Sequence, residues 1–140
     1  MPKTGKGKLS KHEQEANQLK VIKSETLTRI KESESITEIV ELSRSDDADI
    51  RLKAVQQLCP CRIKYDNDEA WQRLFELADD SDTKVREQIL HNMCDGSPPR
   101  LEAQVRDALE KFNRDEDSYI RRRAHKVIAS LLHTGDWNVL

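Results

Sequence analysis

At 140 residues, with 36% charged and 36% hydrophobic side chains but only 4% aromatics, the chain has material for one modest core and much exposed surface. That balance is too apolar for wholesale disorder, and four prolines and four glycines leave room for long helices. The formal net charge of -2 conceals eight Lys/Arg against five Glu in residues 1–34 and sixteen against twenty-one Asp/Glu beyond them, an acidic body that argues against a dedicated nucleic-acid binder.

Residues 1–10 (MPKTGKGKLS) are basic and aperiodic and read as a disordered tail. From Lys11 onward, Leu19, Ile22, Thr26, Leu27 and Ile30 recur at i, i+3 and i+4, which predicts an amphipathic helix over 11–34. Ser35 with Glu38 is a capping box for a helix running to about Ser43. Asp46 or Asp47 caps the next, which carries Ile50, Ala54 and Leu58 and stops before Pro60. Asp66 or Asn67 opens a helix with Trp71, Leu74, Phe75 and Leu77. Its successor begins near Asp82, carries Val85, Ile89 and Met93, and ends at Gly96. Ser97-Pro98 reads as the N-cap and first residue of a helix with Val105, Leu109 and Phe112. A last helix carries Ile120, Ala124, Ile128 and Leu131 and ends at Gly135. Trp137, Val139 and Leu140 are expected to fold back over the open face of the last helix pair.

These elements repeat. A shift of 35 residues brings Asp47, Asp82 and Asp117 into register, and with them Arg51, Arg86 and Arg121. Ile39, Leu74 and Leu109 also coincide, as do Leu58, Met93 and Ile128. A fixed period in this range is the mark of stacked supersecondary units, each burying its apolar face on the next. The expected fold is all-α: a right-handed α-α superhelix of three 35-residue helical hairpins (about 35–67, 68–102 and 103–137) behind an N-terminal capping helix. Because the Asp-Arg pair recurs in every unit, it reads as a stacking device. Each Asp stands where a helix N-terminus favours a carboxylate, and each Arg lies four residues on.

The segments DADIRLKA (47–54), DTKVREQI (82–89) and DSYIRRRA (117–124) share an acidic turn, then Val/Ile-Arg, then a small or apolar residue. The pattern resembles the HEAT and HEAT-like repeat family over roughly residues 35–133. The units are shorter than the usual 40–47 or so residues, and the proline often found in the first helix of that family is missing. The resemblance implies an inter-repeat polar ladder. It also implies a concave groove lined by the second helix of each pair, offering Leu52, Val55, Gln56 and Cys59, then Glu87, Leu90, His91 and Cys94, then Arg122, His125, Lys126 and Ala129. Leu52, Val55, Gln56, Leu90, Arg122, His125 and Lys126 are therefore the candidate partner contacts. The competing reading packs Leu52, Val55 and Leu90 against the capping helix or a loop.

Cys59, Cys61, His91 and Cys94 form one local constellation. Cys59 and Cys94 are equivalent by the period, and His91 and Cys94 lie one helical turn apart. Three thiolates and an imidazole are a complete tetrahedral zinc set. Cys-x-Cys and His-x2-Cys are not finger spacings, and cysteine is also a small apolar residue suited to helix ends, as Ala129 in the same register shows.

The functional expectation is a non-catalytic, monomeric scaffold or adaptor module whose groove takes an acidic or helical segment of another protein. One alternative is nucleic-acid binding through Lys3, Lys6, Lys8, Lys11, Arg62, Lys64 and Arg121–Arg123. The others are a zinc-stabilised repeat protein and, as in some HEAT-like relatives, a lyase. No Gly-rich phosphate loop, Ser-His-Asp set or paired-carboxylate site is visible. No run of about 18 apolar residues crosses a membrane, and the N-terminal lysines precede no apolar signal stretch. Three cysteines fit a reducing cytoplasm.

Overall fold

The computed structural model describes residues 7–140; Lys3 and Lys6, with most of the expected tail, lie outside them. The described chain is all-helical: α1 (Lys11–Glu32), α2 (Ile36–Leu42), α3 (Ala48–Gln57), α4 (Asp68–Glu76), α5 (Thr83–Met93), α6 (Glu102–Phe112) and α7 (Ser118–Thr134). Short 3-10 turns at Leu77–Asp79 and Pro99–Leu101 extend α4 and precede α6. Among the described residues, no helix is long and apolar enough to cross a membrane.

Side-chain caps set the helix starts. Ser10 and Glu13 form a full capping box at α1. Ser35 caps α2 by accepting from the Glu38 N–H, but the Glu38 carboxylate turns away to Arg29 and Ser33, so only half of the expected box is present. Asp47, Asn67, Asp82 and Asp117 cap α3, α4, α5 and α7, each accepting a backbone N–H of the first turn. The start of α6 departs from expectation. Ser97 does not cap it; its hydroxyl donates to the Met93 carbonyl, and α6 follows the 3-10 turn without a side-chain cap. Gly135 ends α7 in the left-handed conformation (φ 76°), where a side chain would be strained.

Packing follows the sequence period. The helix α3 packs on α1 and α5, α5 packs on α7, and α2 packs on α4. Ile50, Ala54, Leu58, Val85, Ile89, Met93, Ile120 and Ala124 are buried in one cluster with Ile39, Leu74, Leu77, Leu109 and Phe112. The helix α1 contributes less than its pattern suggests. Only Ile30 is buried, with Leu27 packed beside it, whereas Leu19 is 67% and Ile22 57% exposed. The N-terminal half of α1 extends past the core. Its attachment also uses Lys23, whose Nζ lies 3.1 Å from Asp47 and 2.6 Å from Asp49.

Two arginines clamp one unit to the next. Arg51 Nε and Nη2 donate to both carboxylate oxygens of Asp80 (2.9 and 3.1 Å), and Arg86 makes the same fork to Asp115 (2.8 and 3.1 Å). The partners are Asp80 and Asp115, not the capping Asp82 and Asp117. The third amino group stays home, with Nη1 of Arg51, Arg86 and Arg121 donating to carbonyls of its own interhelical turn. Arg121 has no such carboxylate among the described residues, so its fork is exposed.

The C-terminal segment folds back, but onto the turn after α5 and not over the open face where it is expected. Trp137 Nε1 donates to Ser97 Oγ (2.6 Å), and Asn138 Oδ1 accepts from the N–H groups of Gly96 and Ser97 (2.8 and 3.0 Å). The Leu140 N–H donates to the Cys94 carbonyl (2.9 Å).

Candidate functional site

The helices α3, α5 and α7 leave a shallow cleft of about 260 Å³ between them. Leu52 and Gln56 border it from α3, Lys84, Glu87, Gln88 and His91 from α5, and Tyr119 and Arg123 from α7. The Arg123 guanidinium lies 5.3 Å from the Tyr119 ring centroid, a cation–π contact that holds both on this face. Of the expected groove residues, Leu52, Gln56, Glu87 and His91 line the cleft. Arg122, His125 and Lys126 are exposed on α7 but do not border it.

Val55 and Leu90 require correction. They are 0% and 1% exposed and belong to the core. A helical wheel built on one hairpin puts them on its open side, but in the folded chain another helix follows and covers that side. Asn92 of α5, fully buried, donates from Nδ2 to the Val55 carbonyl (2.8 Å), which fixes the α3–α5 contact at that residue. His125 holds the same register position on α7, against which no further described helix packs, and it is exposed. The series Val55, Leu90, His125 thus reads as two packing positions and one surface position.

The cysteines separate into two environments. Where α3 ends, the N–H groups of Arg62 and Ile63 both donate to the Cys59 carbonyl (2.9 and 3.0 Å), and this tight turn sets Cys61 beside Cys59. The Cys61 thiol donates to Cys59 Sγ at 2.7 Å, and the Cys59 thiol donates to Asp95 Oδ2 at 3.5 Å. Asp95 follows the last turn of α5, and its Oδ2 also lies 3.3 Å from His91 Nε2. The donor atoms of Cys59, Cys61 and Asp95 all fall within 4.8 Å of one another. Cys94 does not join them. It is fully buried in the core, so the expected third thiolate is replaced by a carboxylate that spacing alone did not single out.

Burial pushes the Cys59 thiol up to about 12, reinforced by its hydrogen bond with Cys61. Burial also pushes Cys94 up to about 12. Both are protonated near neutral pH, so neither is a resting nucleophile. What the cluster offers is a pair of soft donors and a carboxylate facing one point, with Cys61 at the surface.

A second cleft, of about 270 Å³, lies beside this cluster and is bounded by Pro60, Tyr65, Trp71, Asp95 and Pro98. Arg100 closes its rim through a fork to Asp66 (2.6 Å to each oxygen).

Compared with protein-family models, with curated proteins and with solved structures, the chain gives no match in any of the three.

Proposed function

We propose that the chain is a HEAT-like repeat module, a right-handed α-α superhelix of three helical hairpins, that binds a segment of a partner protein across α3, α5 and α7. The observation that carries this reading is the cleft bounded by Leu52, Gln56, His91, Tyr119 and Arg123, none of them fully buried, with Leu52 resting on the edge of the core. Leu52 is a half-buried apolar contact, Tyr119 an aromatic one, and Arg123 supplies charge, with Arg122 and Lys126 exposed nearby. An amphipathic helix with acidic residues on one side matches that order of surfaces. The polar ladder supports the repeat reading, since Arg51–Asp80 and Arg86–Asp115 recur at one period. On this reading the module is monomeric, cytoplasmic and non-catalytic.

The test places a photo-crosslinking residue at Gln56 in the cleft and, as control, at Gln72, exposed on α4. Expressed in the native host, the Gln56 probe should capture one discrete protein that the Gln72 probe does not, and Arg123→Glu should abolish the capture. Equal capture at both positions, or captured nucleic acid in place of protein, would sink the proposal.

A further inference from the structure

We propose that Cys59, Cys61 and Asp95 form a binding site for a single Zn2+ ion, bridging the end of α3 to the end of α5, with His91 orienting the Asp95 carboxylate.

The repeat itself separates this cluster from the stacking machinery. At a shift of 35, Cys61 faces Gly96, Asp95 faces Pro60 and Ser130, and His91 faces Gln56 and Lys126. Nothing that recurs at this period requires these three residues, yet Cys61 and Asp95 meet at the Cys59 sulfur and His91 meets Asp95. Cys59 shares its register with Cys94 and Ala129, but among the described residues the donor cluster forms at Cys59 and not at Cys94.

The distances fit an ion on three of these atoms. With Zn–S about 2.3 Å and Zn–O about 2.0 Å, a tetrahedron places a sulfur and an oxygen ligand ~3.5 Å apart and two sulfurs ~3.8 Å apart. Cys59 Sγ and Asp95 Oδ2 already lie 3.5 Å apart. The two sulfurs, at 2.7 Å, must open, and the one that moves is Cys61, an exposed residue on the Cys-Pro-Cys turn. Two thiolates select a soft or borderline cation over Mg2+ or Ca2+. His91 Nε2 at 3.3 Å from Asp95 Oδ2 is the outer contact that ligating carboxylates characteristically receive. Three protein ligands leave a fourth position for water or for a donor from a partner.

Binding deprotonates both thiols, so each bound ion releases about two protons near neutral pH. The full chain, reduced and freed of metal, is titrated with Co2+ and then with Zn2+. Expected are one equivalent bound, sulfur-to-cobalt charge-transfer absorption, displacement of Co2+ by Zn2+, and the accompanying proton release. Cys61→Ser, at an exposed position that leaves the fold intact by circular dichroism, should weaken binding by more than about 100-fold, and His91→Ala by about 10- to 100-fold. Cys94→Ala should leave the charge-transfer band in place. The proposal is overturned by binding that is unchanged in Cys61→Ser. It is equally overturned if Cys94→Ala removes the band while the fold persists, if no stoichiometric binding occurs, or if Cys59 and Cys61 remain joined as a disulfide under reductant, seen as a mass deficit of two hydrogens.

Discussion

Arg86 of α5 forks onto both oxygens of Asp115, 29 residues further along the chain, and each side chain of the pair is only 8% exposed. Arg51 and Asp80 repeat the arrangement one unit earlier. Each carboxylate has a second task, since Asp80 accepts the N–H of Asp82 and Asp115 that of Asp117 (2.9 Å each). One carboxylate therefore shapes the turn that starts a helix and receives the arginine of the preceding unit.

Removing one member of such a pair strands the other charge. Asp115→Ala should destabilise the chain by about 3–5 kcal/mol, because Arg86 stays buried and keeps just the exposed Glu116 carboxylate, 3.5 Å away, in place of its fork. Arg86→Met combined with Asp115→Leu should recover much of that loss. Recovery stays incomplete, since Arg86 Nη1 also serves the Asp80 carbonyl. Urea unfolding of the two single variants and the double variant measures the coupling. Additive losses would show that the fork is not a stabilising unit.

Acid should act through the same carboxylate. Burial alone would raise the Asp115 pKa, but the Arg86 fork and the Asp117 N–H outweigh it and hold the group below its ordinary 3.8. Asp47 is lowered as well, chiefly by Lys23. A carboxyl whose folded pKa is depressed stabilises fully above the unfolded value, about 3.9, because the unfolded chain takes up protons first as the pH falls. The contribution is then lost as the pH drops through the folded pKa. The gap in urea midpoint between wild type and Asp115→Asn should be constant from about pH 7 to 5 and shrink below about pH 4. A gap that persists unchanged at about pH 3 contradicts this account.

How much of this was legible before the structure depended on range. Caps are local, so Asp47, Asp82 and Asp117 declared themselves by standing before an apolar periodic run. The core positions declared themselves by recurring. The clamp partners did not, because Asp80 and Asp115 have Ser45 in the first register position and pair across 29 residues. Val55 and Leu90 look exposed on a helical wheel because the wheel holds one helix and not the neighbour that packs on it. In the cysteine cluster, Asp95 was one carboxylate among many until the turn at Cys59 and the end of α5 were placed side by side. Leu19 and Ile22 show the converse limit, since a helical period certifies a helix but not a surface for it to bury against.

The C-terminal strap should matter more than its length suggests. Trp137 is 7% exposed, and its indole N–H is satisfied by the buried Ser97 hydroxyl. Trp137→Ala should cost about 3–5 kcal/mol through the cavity it leaves. Asn138→Ala should cost about 1–3 kcal/mol, because the Gly96 and Ser97 N–H groups lose their shared acceptor. Thermal unfolding of both variants checks the order. If Asn138→Ala proves the more damaging, the strap is held by its hydrogen bonds and not by burial of the indole.

The two halves of α1 should respond to substitution in opposite ways. Ile30 is fully buried, so Ile30→Ala should destabilise by about 2–5 kcal/mol. Leu19→Ser and Ile22→Ser remove side chains that are already mostly in water, and each should shift stability by no more than about 0.5 kcal/mol. Amide hydrogen exchange adds a local reading. Protection in α1 should rise from the Ser10 cap toward Ile30, since the first half is held by its capping box and helical hydrogen bonds alone. Strong, uniform protection along Lys11–Glu32, together with a large loss of stability in Ile22→Ser, would mean that the exposed half of α1 is covered in solution. The unpartnered apolar side chains would then have found a partner surface.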